Sequence, residues 1–393
     1  MRAGSVLRRC GPVLLVLPLL LFICLFFLWP IVMVLTQSVS DNAVLRLLPR
    51  TALVAADWDG KSAPDTTLQL AFVTDLRSVT DDQAMGDMVR RLNSAQPGFR
   101  TLMSKTIKAA GEQRDGPIDL IALDRKWGQP QYWKAITDAL SPTTDRYLLA
   151  SVDLMRNDAG DIISQPPEHT INRAVFARTF WICAVVTACC LMLGYPFALL
   201  ITIATGWKKQ VLLAAVLLPL WTSLLVRTAA WFILLQEKGL INDALMSLGI
   251  ISSPLSLIFN RSGVIIAMTH VLLPLMVLPI YSVLLTIPRN LMPAAASLGA
   301  HPIRAFLRVL LPLSFNGIAA GSLLVFMSAI GYYITPALIG GAGDQMISSF
   351  IAFHASNSGN WGMASALGIV LLAVTIVLYA VYDRLVAPRE RNV

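Results

Sequence analysis

Charge is scarce in this chain. Only 14% of its 393 residues are Asp, Glu, Lys or Arg, against about 25% in an ordinary soluble domain. With 56% hydrophobic residues, that scarcity excludes a disordered chain and argues against a wholly soluble one. Carboxylates are absent from most of the apolar runs, so the paired intramembrane acids of an ion-coupled secondary transporter are missing. Cysteine is also sparse. Cys24, Cys183, Cys189 and Cys190 fall within apolar runs and Cys10 precedes them, so the polar stretch 38–174 has no disulfide to support it. On a helix the adjacent Cys189 and Cys190 point to different faces, which favours packing over redox chemistry. No His-Glu-x-x-His occurs, and His169, His270, His301 and His354 are scattered, so neither a zinc site nor any other cofactor is implied. Gly60, Lys61 and Ser62 resemble the end of a phosphate loop, but Ala55 stands where its first glycine belongs. The sequon Asn260-Arg261-Ser262 is a short chance pattern. The chain on its own does not read as an enzyme.

What is present is bilayer-length hydrophobicity. A spanning helix needs about 20 mostly apolar residues. Six stretches meet this: 13–36, 175–203, 210–235, 263–286, 317–340 and 362–383. The first follows Arg2, Arg8 and Arg9 but is too long for a secretory core and lacks a small-x-small cleavage site, so it reads as a retained anchor. Net charge is +8, yet no basic stripe with interleaved aromatics suggests nucleic acid. The positive residues instead follow the rule that short cytoplasmic loops are basic. Arg2, Arg8, Arg9, Lys208, Lys209, Arg289, Arg304, Arg308, Arg384, Arg389 and Arg391 fall on one side, against Asp383 and Glu390. Both termini are therefore expected in the cytoplasm of a multi-pass protein of the bacterial inner membrane, with lipid as a partner.

The chain divides into a tail and first span (1–37), an extracytoplasmic soluble segment (38–174), a core of five spans (175–386) and a tail (387–393). From 38 to 178 there are 17 basic and 18 acidic residues, an ordinary soluble balance. Alternation over Leu68–Val73 predicts a strand, Asp81–Leu92 a helix, Ile118–Leu123 a strand, Gln131–Leu140 a helix and Tyr147–Leu154 a strand. That order predicts a small α/β or α+β domain.

The most specific pattern lies in the loop 288–316. Pro293 can open a short helix, Gly299 suits a left-handed position after it, and Pro302 can start a second helix. Ile303, Phe306, Leu307 and Leu310 then share a face. This apolar helix–turn–helix lies outside the bilayer and needs a partner, either the membrane surface or another subunit.

The stretch resembles the Glu-Ala-Ala loop of binding-protein-dependent ABC importer permeases. Ala294, Ala295, Gly299, Ala300, Phe306, Val309, Leu311 and Pro312 fall on the pattern, and Pro293 replaces its glutamate, removing a carboxylate that could pair with an ATPase. Leu218–Trp231, His270–Tyr281 and Gly331–Gly341 are similar to segments of the spermidine/putrescine-type subfamily. The resemblance covers spans two to six and leaves the 38–174 insert outside. It implies a membrane all-α, type I ABC importer permease bundle of six helices. It also implies two ATPases docked on the 291–313 loop, a second permease subunit that is a paralogue, and an external solute-binding protein. The coupling contacts would be Ala294, Ala295, Gly299, Ala300, Ile303, Phe306, Leu307 and Val309. The solute would be small and polar or cationic, polyamine-like or opine-like.

Candidate pathway residues each have a plainer alternative. Arg227 lies inside the third span, where a charge faces a cavity or partner unless it snorkels. Trp221, Trp231, Tyr332 and Tyr333 suit cations by their aromatic faces but also suit an interfacial belt. Polyamine-transporting relatives often carry an acid where Tyr332 stands, and a polycation favours carboxylates. His270 either bridges helices or contacts solute, and Asp344 either meets solute or is a solvated loop charge. A ligand-sensing receptor remains a competing class, but it would need a cytoplasmic signalling domain longer than these loops.

Overall fold

A computed structural model describes residues 16–113, 116–157, 160–168 and 170–386. The expectations for Cys10, for the N-terminal arginines, for Arg389, Arg391 and Glu390, for residues 13–15 and for the 387–393 tail lie outside these. Two compact units are present. One runs up to Ser164 and includes His354–Ile369; the other comprises Gln165–Phe353 and the chain from Val370.

The first unit starts with helix α1 (Val16–Val39), whose apolar side chains are exposed throughout, as a lipid-facing anchor requires. The soluble insert follows as helices α2 (Asn42–Leu45), α3 (Pro49–Ala55), α4 (Thr66–Ser78), α5 (Asp82–Ala95), α6 (Phe99–Glu112), α7 (Leu120–Leu123), α8 (Pro130–Ala139) and α9 (Arg146–Ser151). Strands β1 (Leu154–Arg156) and β2 (Ile162–Ser164) pair antiparallel, Met155 opposite Ile163.

The α5 and α8 helices agree with the expected ones, but the predicted α/β or α+β insert is overturned. Its three expected strands are mostly helical. Alternation over Leu68–Val73 is also compatible with a helical stripe: Leu68, Phe72, Val73 and Leu76 are buried together on α4. The deciding residue lies before that window. Asp65 accepts the Leu68 N–H at 2.8 Å and caps the helix. Asp119 caps α7 in the same way, through Ile121 and Ala122. Of the third predicted strand only Leu154 enters β1, because Arg146–Ser151 closes as a helix.

The insert holds together around aromatic rings. Trp127 and Trp133 have centroids 5.2 Å apart, and Phe72 meets them edge-on at 5.1 and 5.4 Å. Both indole N–H groups are satisfied, Trp133 by the Trp127 carbonyl at 2.9 Å and Trp127 by Thr106 Oγ1 at 3.0 Å. Burial of this size replaces the missing disulfides.

The second unit is built on α10 (Asn172–Ile203), α11 (Gly206–Trp221), α12 (Leu224–Leu234), α13 (Leu240–Ser247), α14 (Arg261–Thr286), α15 (Leu291–Ser297), α16 (Pro302–Leu313), α17 (Phe315–Gly331), α18 (Ile334–Ile339) and α19 (Ile347–Ala352). Helix α20 (Trp361–Val386) begins in the first unit and ends in the second. Helices α10, α14 and α17 pack against one another around Val186, Cys190, Met276, Val277, Ile280 and Val325, all fully buried. Small residues let the backbones approach: a Cβ on Gly321 would meet the Met276 carbonyl at 3.0 Å, and one on Gly317 the Pro279 carbonyl at 3.0 Å. Cys189 and Cys190 are free thiols, and Cys190 donates to the Thr269 carbonyl at 3.4 Å.

Among the described residues four helices, α1, α10, α14 and α20, are long and apolar enough to cross a membrane, and up to six if two bent pairs each count as one span. The expected third span, 210–235, is α11 and α12, bent by 103°. Thr222 follows the end of α11, and Ser223 caps α12 by accepting the Val226 N–H. The expected fifth span, 317–340, stops at Gly331, and α16 joins α17 at a 63° bend.

Trp133→Ala should destabilise the insert by about 3–5 kcal/mol, read as faster proteolysis between residues 40 and 157. Acid should loosen the same region. The Thr67 hydroxyl and then the Leu68 N–H hold the Asp65 carboxyl below its usual range, and Lys105 and then the Lys126 N–H do so for Asp124. Their folded values are depressed, so this stabilisation is present above about pH 4 and is lost as pH falls through the lower folded values. Protease sensitivity that does not change on acidification would contradict it.

Candidate translocation and coupling sites

The elbow between α14 and α17 has the geometry its sequence predicts. Helix α15 ends in a paired cap: the Gly299 N–H donates to the Ala296 carbonyl at 2.9 Å and the Ala300 N–H to the Ala295 carbonyl at 3.1 Å. Gly299 sits at φ +80°, a left-handed conformation that side chains strain, and the space around it is open. Pro302 starts α16 where its missing N–H costs nothing.

The expected single stripe on α16 divides. Ile303 is 65% exposed and Leu307 52%, joined by Leu298 at 89%. Phe306 and Leu310 turn to the bundle core instead. The cause is a wider π-type turn over Phe306–Leu310, which shifts the register away from 3.6 residues per turn. Phe306 packs edge-on against Tyr195 at 5.8 Å, and the Tyr195 hydroxyl hydrogen-bonds Ser314 Oγ at 2.9 Å. One face of the elbow is thus tied to α10 and the other is exposed. Ala294 and Gly299 are exposed; Ala295, Ala300 and Val309 are half-buried.

A second group forms where α12, α14 and the end of α17 meet. Trp231 Nε1 donates to His270 Nδ1 at 3.1 Å, with the rings 5.3 Å apart. Arg227 is close enough to act electrostatically on both His270 and Tyr332. Its Nε is buried without a hydrogen-bond partner among the described residues. Below it, the Thr228 and Thr335 hydroxyls bond at 3.1 Å and join α12 to α18. Arg227, Trp231, His270 and Tyr332 are therefore one cluster. Trp221, 78% exposed at the end of α11, and the exposed Tyr333 lie on surface. Asp344 is held by Arg261 at 2.9 Å.

Arg178 is a residue that sequence reading passed over. From α10 it donates to the Gln345 carbonyl, at 3.0 Å from Nε, and to the Gly343 carbonyl. Thr179 Oγ1 accepts the Ile347 N–H at 2.9 Å beside it. The loop between α18 and α19 is thereby clamped to α10. The available signal was an arginine just inside an apolar run, paired with a glycine-rich segment whose carbonyls needed donors.

A helical bundle with broken spans, a charge in its wall and an unpartnered amphipathic elbow is the architecture of a membrane permease. Residues 190–391 match the family described as binding-protein-dependent transport system inner membrane component, and the chain belongs to it. It is 36% identical over 216 residues to the spermidine/putrescine transport system permease protein PotB of Escherichia coli (strain K12), covering 55% of this chain and 75% of PotB. It is 33% identical over 225 residues to the inner membrane ABC transporter permease protein YdcU of the same strain, covering 54% and 70%. Solved structures similar to it include a bacterial alginate ABC transporter (16% identity, TM-score 0.47, 55% of this chain and 80% of that one). Another is the MetNI methionine ABC transporter (18%, TM-score 0.43, 57% and 98%). The chain is a permease component of an ABC importer, a multi-pass inner-membrane transport subunit, and its family implies ATPase and solute-binding partners.

Arg178→Leu should cost about 1–2 kcal/mol by orphaning two loop carbonyls, whereas Asp344→Asn should cost less than about 1 kcal/mol because that pair is half-exposed. Thermal melts of the detergent-purified chain compare them; an equal or reversed order would contradict the clamp.

Proposed function

We propose that the chain forms half of the pathway of an importer for a polyamine-like organic cation, with both termini in the cytoplasm. The observation that carries this reading is the elbow at 291–313, whose exposed Leu298, Ile303 and Leu307 project from a turn that Gly299 alone makes easy. Two ATPase subunits would each receive such an elbow, one from this chain and one from a paralogous permease. The family resemblance and the basic loops on that side support the arrangement. ATP hydrolysis belongs to those partners. Phe306 and Tyr195 couple the elbow to α10, so a displacement imposed on it reaches the bundle as a rigid-body shift. A binding protein delivers solute to the opposite end, where the Arg178 clamp and the Arg261–Asp344 pair lie.

The solute class rests on the named relatives and on the aromatic faces of Trp231 and Tyr332, joined by Tyr333 and Trp221 toward the surface, which suit ammonium groups. Arg227, beside His270, favours a second solute class that carries a carboxylate as well as an amine, as opines do. Competition of spermidine, putrescine and an opine against labelled spermidine uptake in proteoliposomes separates the two.

Gly299→Asp should insert normally but abolish uptake and release a co-purified ATPase. Uptake at the unmodified rate in that variant would exclude the elbow as the docking site.

A further inference from the structure

The first unit contains a cleft of ≈ 940 Å³ that transport by the bundle does not require. One wall is the insert, with Asp41, Arg91 and Tyr147; the other is the stretch from Asn357 to Gly362 that leads into α20. The two approach so closely that a Cβ on Gly362 would lie 2.4 Å from the Tyr147 ring.

Two independent features at this cleft look for an anion. The first is Arg91, only 9% exposed. Its Nε donates to Asp41 Oδ2 at 2.6 Å and its Nη2 pairs with the same oxygen, while Tyr147 lies 5.9 Å from its guanidinium carbon. Nη1 has no hydrogen-bond partner among the described residues. A buried charged donor left unmatched is costly, and a suitable acceptor would recover that cost. The second is the N-terminus of α20, a helix of 26 residues. Asn360 Oδ1 caps the Met363 N–H at 3.0 Å, but the N–H groups of Trp361 and Gly362 precede any intrahelical acceptor. The helix end adds a partial positive charge there. Around the rim, Arg90 pairs with Asp87 and Lys108 lies 3.9 Å from Glu112, while Arg100 and Asp82 are the other rim charges. Burial works to lower the Arg91 pKa, but the Asp41 hydrogen bond and neighbouring charges more than offset it, so the group stays charged.

We propose that this cleft binds a small carboxylate-bearing solute, with one carboxylate shared between Arg91 Nη1 and the first turn of α20. The site is separate from the membrane cluster at Arg227 and does not rest on the choice of transported solute. A ligand spanning both walls would tie the insert to the start of α20.

The test is calorimetry on the full-length chain in detergent, with succinate as the probe and putrescine as the cationic control. Succinate should bind one to one. Arg91→Lys keeps a charge for Asp41 but loses the planar fork, and should weaken binding about tenfold or more. Ser104→Trp fills the cleft from an exposed position away from the buried pair and should do the same, so it decides the matter should Arg91→Lys fail to fold. No heat from succinate, binding unchanged by Ser104→Trp, or binding of putrescine in its place would each overturn the proposal. ATPase co-purification is read separately, so neither result substitutes for the other.

Discussion

A backbone in hydrocarbon must satisfy its own hydrogen bonds, and the second unit is arranged around that constraint. Its long helices, α10 and α14, are uninterrupted, and the breaks that occur are covered locally. Ser223 caps α12 at the 103° bend, and Ser314 at the 63° bend is fully buried against Tyr195. Pro274 and Pro279 sit within α14 where neighbouring helices surround them. The breaks are also where chemistry gathers: Arg227 follows one directly, and the elbow leads into the other. Irregular backbone and function coincide because a polar group in such a bundle can exist only where protein or a cavity meets it.

The elbow shows how one short helix serves two neighbours. A regular α-helix would have placed Ile303, Phe306, Leu307 and Leu310 on one side, suited to a single partner. The π-type turn sends Phe306 and Leu310 inward and leaves Ile303 and Leu307 outward. Phe306 meets Tyr195 of α10, and Ile303 and Leu307, with Leu298, are exposed.

The insert follows different rules, those of a soluble domain. Its core holds Trp127 and Trp133 with both indole N–H groups satisfied, and the buried Arg91 is paired with the buried Asp41. It lies outside the stretch matched by the family, and its composition gave no hint that its chain would pack with the start of α20 in one compact unit.

The bilayer-length runs, the basic loops and the elbow with its Gly299 turn were legible from residue order alone, because each depends on local spacing and on conformations few residues adopt. The helices at Asp81 and Gln131 were legible for the same reason. The strands expected in the insert were not, since six alternating residues fit either period and only a cap outside the window, at Asp65 or Asp119, decides between them. The grouping of Arg227 with His270, the clamp made by Arg178, the division of the α16 stripe and the orphaned nitrogen of Arg91 were settled by tertiary structure. Each joins residues from 39 to 167 positions apart, or turns on a helical register that packing sets, and no local pattern encodes those distances.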